Sequence, residues 1–190
     1  MTRIAFIFSI ILLIATMFSC KPKKQTKKDT AEPQKAELQE TTMTIHAAVF
    51  MGNENELKKH IANKADLNVR DQFGSTPLNI ACTFGKAHIA KILIDAGADV
   101  NALNADKGTA LHTASFFCRN EIVAMLLKAN AKKDIVNQYG STPLQSVQAP
   151  WKTVKPIYQQ LAKDLGALGL RLDFDRLKKQ RPEIAKMLSE

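Results

Sequence analysis

The stretch GSTPLNIACTFGKAHIAKILIDAGADVNA, residues 74–102, decides how this chain folds. Its STPL, at 75–78, returns as GTAL at 108–111 and as STPL at 141–144. Aligned on the last residue of that phrase, Ile45, Leu78, Leu111 and Leu144 stand 33 residues apart. Thr76 can accept from the free amides of a helix start, and Pro77 suits a first turn, where its missing N–H is not needed. Leu78, Ile80 and Ala81 then make an apolar side, and the small alanine lets a neighbour approach. Gly85 breaks the chain, Ile89, Ile92, Leu93 and Ile94 line a second helix, and Gly97 ends it in a left-handed conformation. DVNA, residues 99–102, leads into a projecting turn that finishes near Asp106–Lys107. One such helical pair cannot bury its apolar side alone, so successive pairs stack. The fold class that follows is all-α: a solenoid of stacked helix-turn-helix units with short projecting turns.

A period of 33 carrying a T-P-L-H-x-A phrase, followed by GADVN at 97–101, resembles the ankyrin repeat. The resemblance covers residues 42–165, in units of about 42–74, 75–107, 108–140 and 141–165. It implies an ankyrin-repeat solenoid, in which His46 and His112, at the histidine of the phrase, bond backbone groups of a neighbouring turn. Some positions depart from the pattern. Lys64 and Asn130 stand where Gly97 stands, and a lysine there should cost stability. Lys107 replaces the turn glycine. The first unit opens on Met43-Thr44, and its second helix, ENELKKHI at 54–61, is polar, as suits an end unit with one face in water. Pro150 and Pro156 disturb the fourth unit, whose second helix is expected over 153–163. Residues 166–190 are expected to form a C-terminal helical cap, with Asp173 opening one short helix and Pro182 another.

The 190 residues carry 27 basic and 18 acidic side chains, a formal charge of +9. Much of the excess sits in KPKKQTKK, residues 21–28, beside an apolar leader, which reads as a solvated spacer near a membrane and not as a nucleic-acid site. Arg3 followed by the apolar run Ile4–Met17 has the profile of an export signal. The run falls short of the roughly 20 apolar residues of a membrane span. It stops at Ser19-Cys20, which resembles a bacterial lipobox, although Met17 and Phe18 depart from that pattern. The resemblance implies cleavage after residue 19, a lipid on Cys20, and a flexible linker over residues 20–41. Lys21 resembles lipoproteins sorted to the outer membrane, so the expected location is the bacterial cell envelope, facing the periplasm. An uncleaved anchor with a cytoplasm-facing array is the alternative.

Cys82 and Cys118 fall at different heights of neighbouring units, since one repeat length carries Cys82 onto Ser115 and Gly85 onto Cys118; free thiols are expected. A redox-active accessory protein using either cysteine is the rival class. The chain has no zinc-spaced Cys/His cluster, Gly-rich phosphate loop or nucleophile elbow, so the expectation is a non-catalytic protein without cofactor or metal. The ankyrin resemblance implies that a partner protein binds the projecting turns and the exposed sides of the first helices. Those positions include Phe50, Met51, Arg70, Gln72, Phe73, Thr83, Phe84, Leu103, Asp106, Phe116, Phe117, Tyr139 and Trp151. Every aromatic residue beyond Cys20 except Tyr158 and Phe174 falls among them. Rigid rings gathered on one face favour a protein interface. The same face has little net charge, which argues against nucleic acid. The expected protein is a monomer bound to another protein and held to the membrane by its N-terminal lipid.

Overall fold

The computed structural model describes residues 38–190; the expected signal segment, Cys20 and most of the linker lie outside the described residues. Nine α-helices and no strands occur among the described residues: α1 Ile45–Met51, α2 Glu54–Ala62, α3 Pro77–Phe84, α4 Ala87–Asp95, α5 Ala110–Phe116, α6 Asn120–Lys128, α7 Pro143–Gln148, α8 Trp151–Asp164 and α9 Phe174–Ser189. The helices α1, α3, α5 and α7 stack in a row, and α2, α4 and α6 each pack against the first helix of their own unit.

The repeated phrase forms each first helix as its chemistry dictates. The hydroxyls of Thr44, Thr76 and Thr142 accept from the amides of Ala47, Asn79 and Gln145, satisfying donors that have no partner inside the helix. At Thr109 the imidazole of His112 accepts from the backbone amide at 3.1 Å. Gly52 and Gly85 end α1 and α3 in left-handed backbone, at φ 73° and 65°. Cys118 takes the same role in the third unit at φ 50°, where a side chain is strained. Leu78 and Leu111 are fully buried, Ile45 is nearly so, and Leu144 is half-buried at the last turn of the row. Ala48, Ala81 and Ala114 are wholly buried between first helices, where a larger side chain would push the units apart.

The projecting turns are tied to one another. The amide of Ala105 donates to the carbonyl of Gly74 at 3.0 Å, and that of Gln138 to the carbonyl of Asp106 at 2.8 Å. Each turn is also closed internally, by Asp71, Asn104 or Asn137 accepting from backbone amides of its own loop.

Both ends differ from the expectations. Residues 39–43 do not swing free as the end of a linker. They run along α2 as a strap, held by the side chains of Glu56, His60 and Asn63. The Gln39 amide donates to Asn63 Oδ1 at 2.8 Å, and Thr42 to Glu56 Oε2 at 2.9 Å. Asn63 Nδ2 donates back to the Gln39 carbonyl, and His60 Nε2 to that of Met43. The outer side of the first unit is therefore partly covered by its own chain, and Glu56 is buried.

At the other end, α8 begins at Trp151, two residues before the expected start, and α9 is one continuous helix where two short ones were expected. Asp173 does cap α9, accepting from the Arg176 amide at 3.0 Å. Pro156 and Pro182 both lie inside helices on solvent-exposed sides, where water can serve the carbonyl each leaves without a donor. The helix that lies along α7 and reaches α6 is α9, not α8. Its early turn meets the end of α5, with Leu177 accepting from the Cys118 thiol, and Arg181 meets the end of α7. Thus α9 occupies the place of the fourth unit's second helix, and α8 is an insertion between the two members of that pair.

Candidate inner-face binding site

The predicted binding residues occupy three environments. The turn tips are open: Phe73 is 74% exposed and Tyr139 71%, with Arg70 and Gln72 exposed beside Phe73. Tyr139 is held in place by its hydroxyl, which donates to Asp106 Oδ1 at 3.3 Å; the same oxygen accepts from the Gln138 side chain. Asp106 is thereby occupied within the molecule. Leu103 is half-buried in the turn between them.

The inner ends of α1 and α3 are partly open. Phe50 and Phe84 meet edge to face with centroids 4.9 Å apart, both half-buried, while Met51 is 67% exposed. This edge-to-face arrangement suits the ring quadrupoles and fixes both rings. Thr83, which one repeat length aligns with Phe50, is half-buried and donates its hydroxyl to the Asn79 carbonyl, as a helix interior threonine commonly does.

The inner end of α5 is closed. Phe117 is only 6% exposed, so it is core and not a binding residue. The reason lies one residue on: Cys118 takes the left-handed position, and Phe117 ends the helix in contact with Phe116 and beneath the Arg119 guanidinium. Phe116 is covered from outside by α8. Tyr158 stacks on it with centroids 4.5 Å apart and donates its hydroxyl to the Phe116 carbonyl. Trp151, half-buried, lies against Tyr158 at 5.7 Å. The sequence gives no period after Pro150, so Tyr158 carried no sign of this role.

Cations from the following unit bond the C-terminal carbonyls of the first helices. Arg119 Nη2 donates to Thr83 at 2.9 Å, and Arg181 donates to Ser146 and Ala149 at 3.2 and 2.7 Å. A cation at the negative end of a helix is favourable. Arg181 is 5% exposed and also donates to the Tyr158 hydroxyl at 2.9 Å, so one buried guanidinium joins α7, α8 and α9. Burial pushes the Tyr158 hydroxyl up to about 12, which keeps it a neutral donor.

Cys82 and Cys118 are free and buried. Burial pushes the Cys82 thiol up to about 12 and that of Cys118 to about 11. A thiol at such values is scarcely ionised near neutral pH, and the thiolate is the reactive form. The histidines of the repeated phrase act as expected of them: His46 reaches the Val69 carbonyl at 2.9 Å and His112 that of Ser141 at 3.1 Å. His88 is exposed and pairs with Glu54. No helix among the described residues is long and apolar enough to cross a membrane.

Comparison with known proteins agrees with this geometry. A family model described as ankyrin repeats, in three copies, matches residues 45–138. Protein phosphatase 1 regulatory subunit 27 of Homo sapiens is 45% identical over 54 residues, which is 28% of this chain and 35% of that protein. Its counterpart in Mus musculus matches to the same extent. The chain thus spans about a third of the length of these curated relatives. Residues 45–138 are an array of ankyrin repeats, and the all-helical fold built on them is an ankyrin-repeat solenoid.

Proposed function

We propose that this chain is a non-catalytic scaffold that binds another protein through its projecting turns and the open inner ends of α1 and α3. The observation that carries the reading is the exposure of Phe73 and Tyr139, 74% and 71%, on turns that are otherwise rigidly bonded. Rings held ready in this way lose little freedom on binding and make effective anchors. The relatives named above include a regulatory subunit, and a binding role without catalysis fits that company. The two deeply buried thiols speak against the redox alternative.

Photo-crosslinking tests the binding role. A photoreactive residue at Phe73 or Tyr139 of the full chain in its native cells should yield a discrete crosslinked species. The same residue at exposed Lys91, on α4, should not. Equal labelling from Lys91, or none from the two turns, would overturn the assignment of this face.

We further propose that the chain is a monomer tethered to the bacterial envelope by a lipid on Cys20. The support is in the sequence: the apolar run Ile4–Met17 and the small Ser19 before Cys20. Mass measurement of the mature protein should show a lipidated Cys20 at the N-terminus, and an intact Met1 would exclude it.

A further inference from the structure

The charges of the binding face are unequally available. The helices α1, α3, α5 and α7 contain no Asp, Glu, Lys or Arg. At the turn tips, residues 70–74, 103–107 and 136–140, the acidic groups are Asp71 and Asp106, and both are engaged internally. Asp71 accepts from the amides of Phe73 and Ser75 at 2.9 and 2.8 Å. Asp106 accepts from Gln138 and Tyr139. The turn cations are Arg70 and Lys107, both exposed, and neither forms an ion pair among the described residues. The formally neutral row of turn tips therefore presents its cations outward and keeps its carboxylates bonded to itself.

The spacing of the anchors adds to this. Phe73 and Tyr139 stand two repeats apart, with the turn of Asp106 and Lys107 between them. The turns follow the stacking of the first helices, at roughly 8–10 Å per step. Two steps correspond to about five or six residues of extended chain at roughly 3.3 Å each.

We propose that the partner segment received by this face is acidic and extended, with two apolar side chains about five or six residues apart seated on Phe73 and Tyr139 and carboxylates between them facing Arg70 and Lys107. This rests on the binding role proposed above and specifies its ligand. Opposed charge sets register and speeds encounter, while the rings supply most of the affinity. Nucleic acid is the less favoured anion, because two turn cations are few for a phosphate backbone and the rings are too far apart to stack successive bases.

Selection from a random 12-residue peptide library on the purified full chain tests this. Selected peptides should be rich in Asp and Glu between two apolar residues at that separation. The best of them should weaken by about tenfold or more against Arg70→Glu/Lys107→Glu at low salt, and that difference should shrink in high salt. Circular dichroism should show the variant's helix content unchanged, since both side chains are exposed. Neutral or basic selected peptides, or affinity within about twofold for the charge-reversed chain, overturn the inference. So does a 12-nucleotide single strand that binds as tightly and competes. Peptides without acidic residues that are nevertheless lost in Phe73→Ala/Tyr139→Ala sink the acidic partner and leave the binding role standing. Selected peptides indifferent to both rings, or no selected peptides together with no crosslink from either turn, sink both.

Discussion

Asn79 shows how much one residue of the repeat matters. It stands where the first and third units have His46 and His112, each of which spans to a carbonyl of a turn. Asn79 is 3% exposed, and neither polar atom of its side chain finds a partner. An unsatisfied buried amide costs on the order of 1–3 kcal/mol. Restoring the longer side chain in Asn79→His should stabilise the fold by about 1 kcal/mol, raising the melting temperature by roughly 2–4 °C for a protein of this size. A thermal melt that falls instead would show that the site cannot admit the ring. Lys64 makes a parallel case in the backbone. Its φ of 56° is a conformation that Gly adopts freely and a side chain does not, and the side chain itself is exposed. Lys64→Gly should gain about 1 kcal/mol by denaturant titration. Asn130→Gly, at φ 59°, should gain less, since asparagine tolerates that region.

Among the elements, α8 and α9 depend on one shared polar contact. Removing the hydroxyl in Tyr158→Phe keeps the ring stacked on Phe116 but takes a donor from the Phe116 carbonyl and an acceptor from buried Arg181. The expected loss is about 1.5–3 kcal/mol, read as a lower urea midpoint at unchanged slope. An unchanged midpoint would mean that water replaces both bonds. These two helices are also where the sequence was least legible. The Thr-Pro-Leu phrase fixes register as far as Leu144, because threonine caps, proline starts and buried leucines each have a local chemical cause. Beyond Pro150 no period remains, so counting forward assigned the next helix to the fourth unit. Pro156 and Pro182 read as breakers, yet their exposed positions make a missing amide tolerable. Phe117 could not be separated from Phe116 by spacing alone; the left-handed Cys118 decides which ring turns inward. Phe73 and Tyr139, at turn tips, are exposed, whereas Leu103 on the turn between them is half-buried, a difference that the period alone does not show.

The molecule as a whole should lose stability in two stages on acidification. Burial holds the His112 pKa below its ordinary value, so the unfolded chain takes up a proton first, and stability declines as pH drops below about 6.5 toward the lowered value. Glu54 and Glu56 are also lowered, chiefly by hydrogen bonds from Lys58 and from Lys59. Their contribution is present above the ordinary carboxylate range and disappears as pH falls through the lowered values. Melting temperature measured from pH 8 to pH 3 should show both declines, and His112→Gln should remove the first. Truncation before Asp173 provides a second test at this scale. If α9 is the partner of α7, its loss should make Cys118, which donates to Leu177, react rapidly with a thiol reagent while Cys82 stays protected. Protection of both would place α9 outside the core.

The strap at residues 39–43 has a mechanical consequence. Gln39 is fastened near the last turn of α2 at Asn63, and Thr42 near its first turn at Glu56, so the segment runs opposite to the helix. Tension directed along the helix would load these fastenings together, in shear, whereas tension directed away from it would part them one after another, beginning at Gln39. How firmly the first repeat resists a pull through the N-terminal segment would therefore depend more on the angle of that pull than on its size.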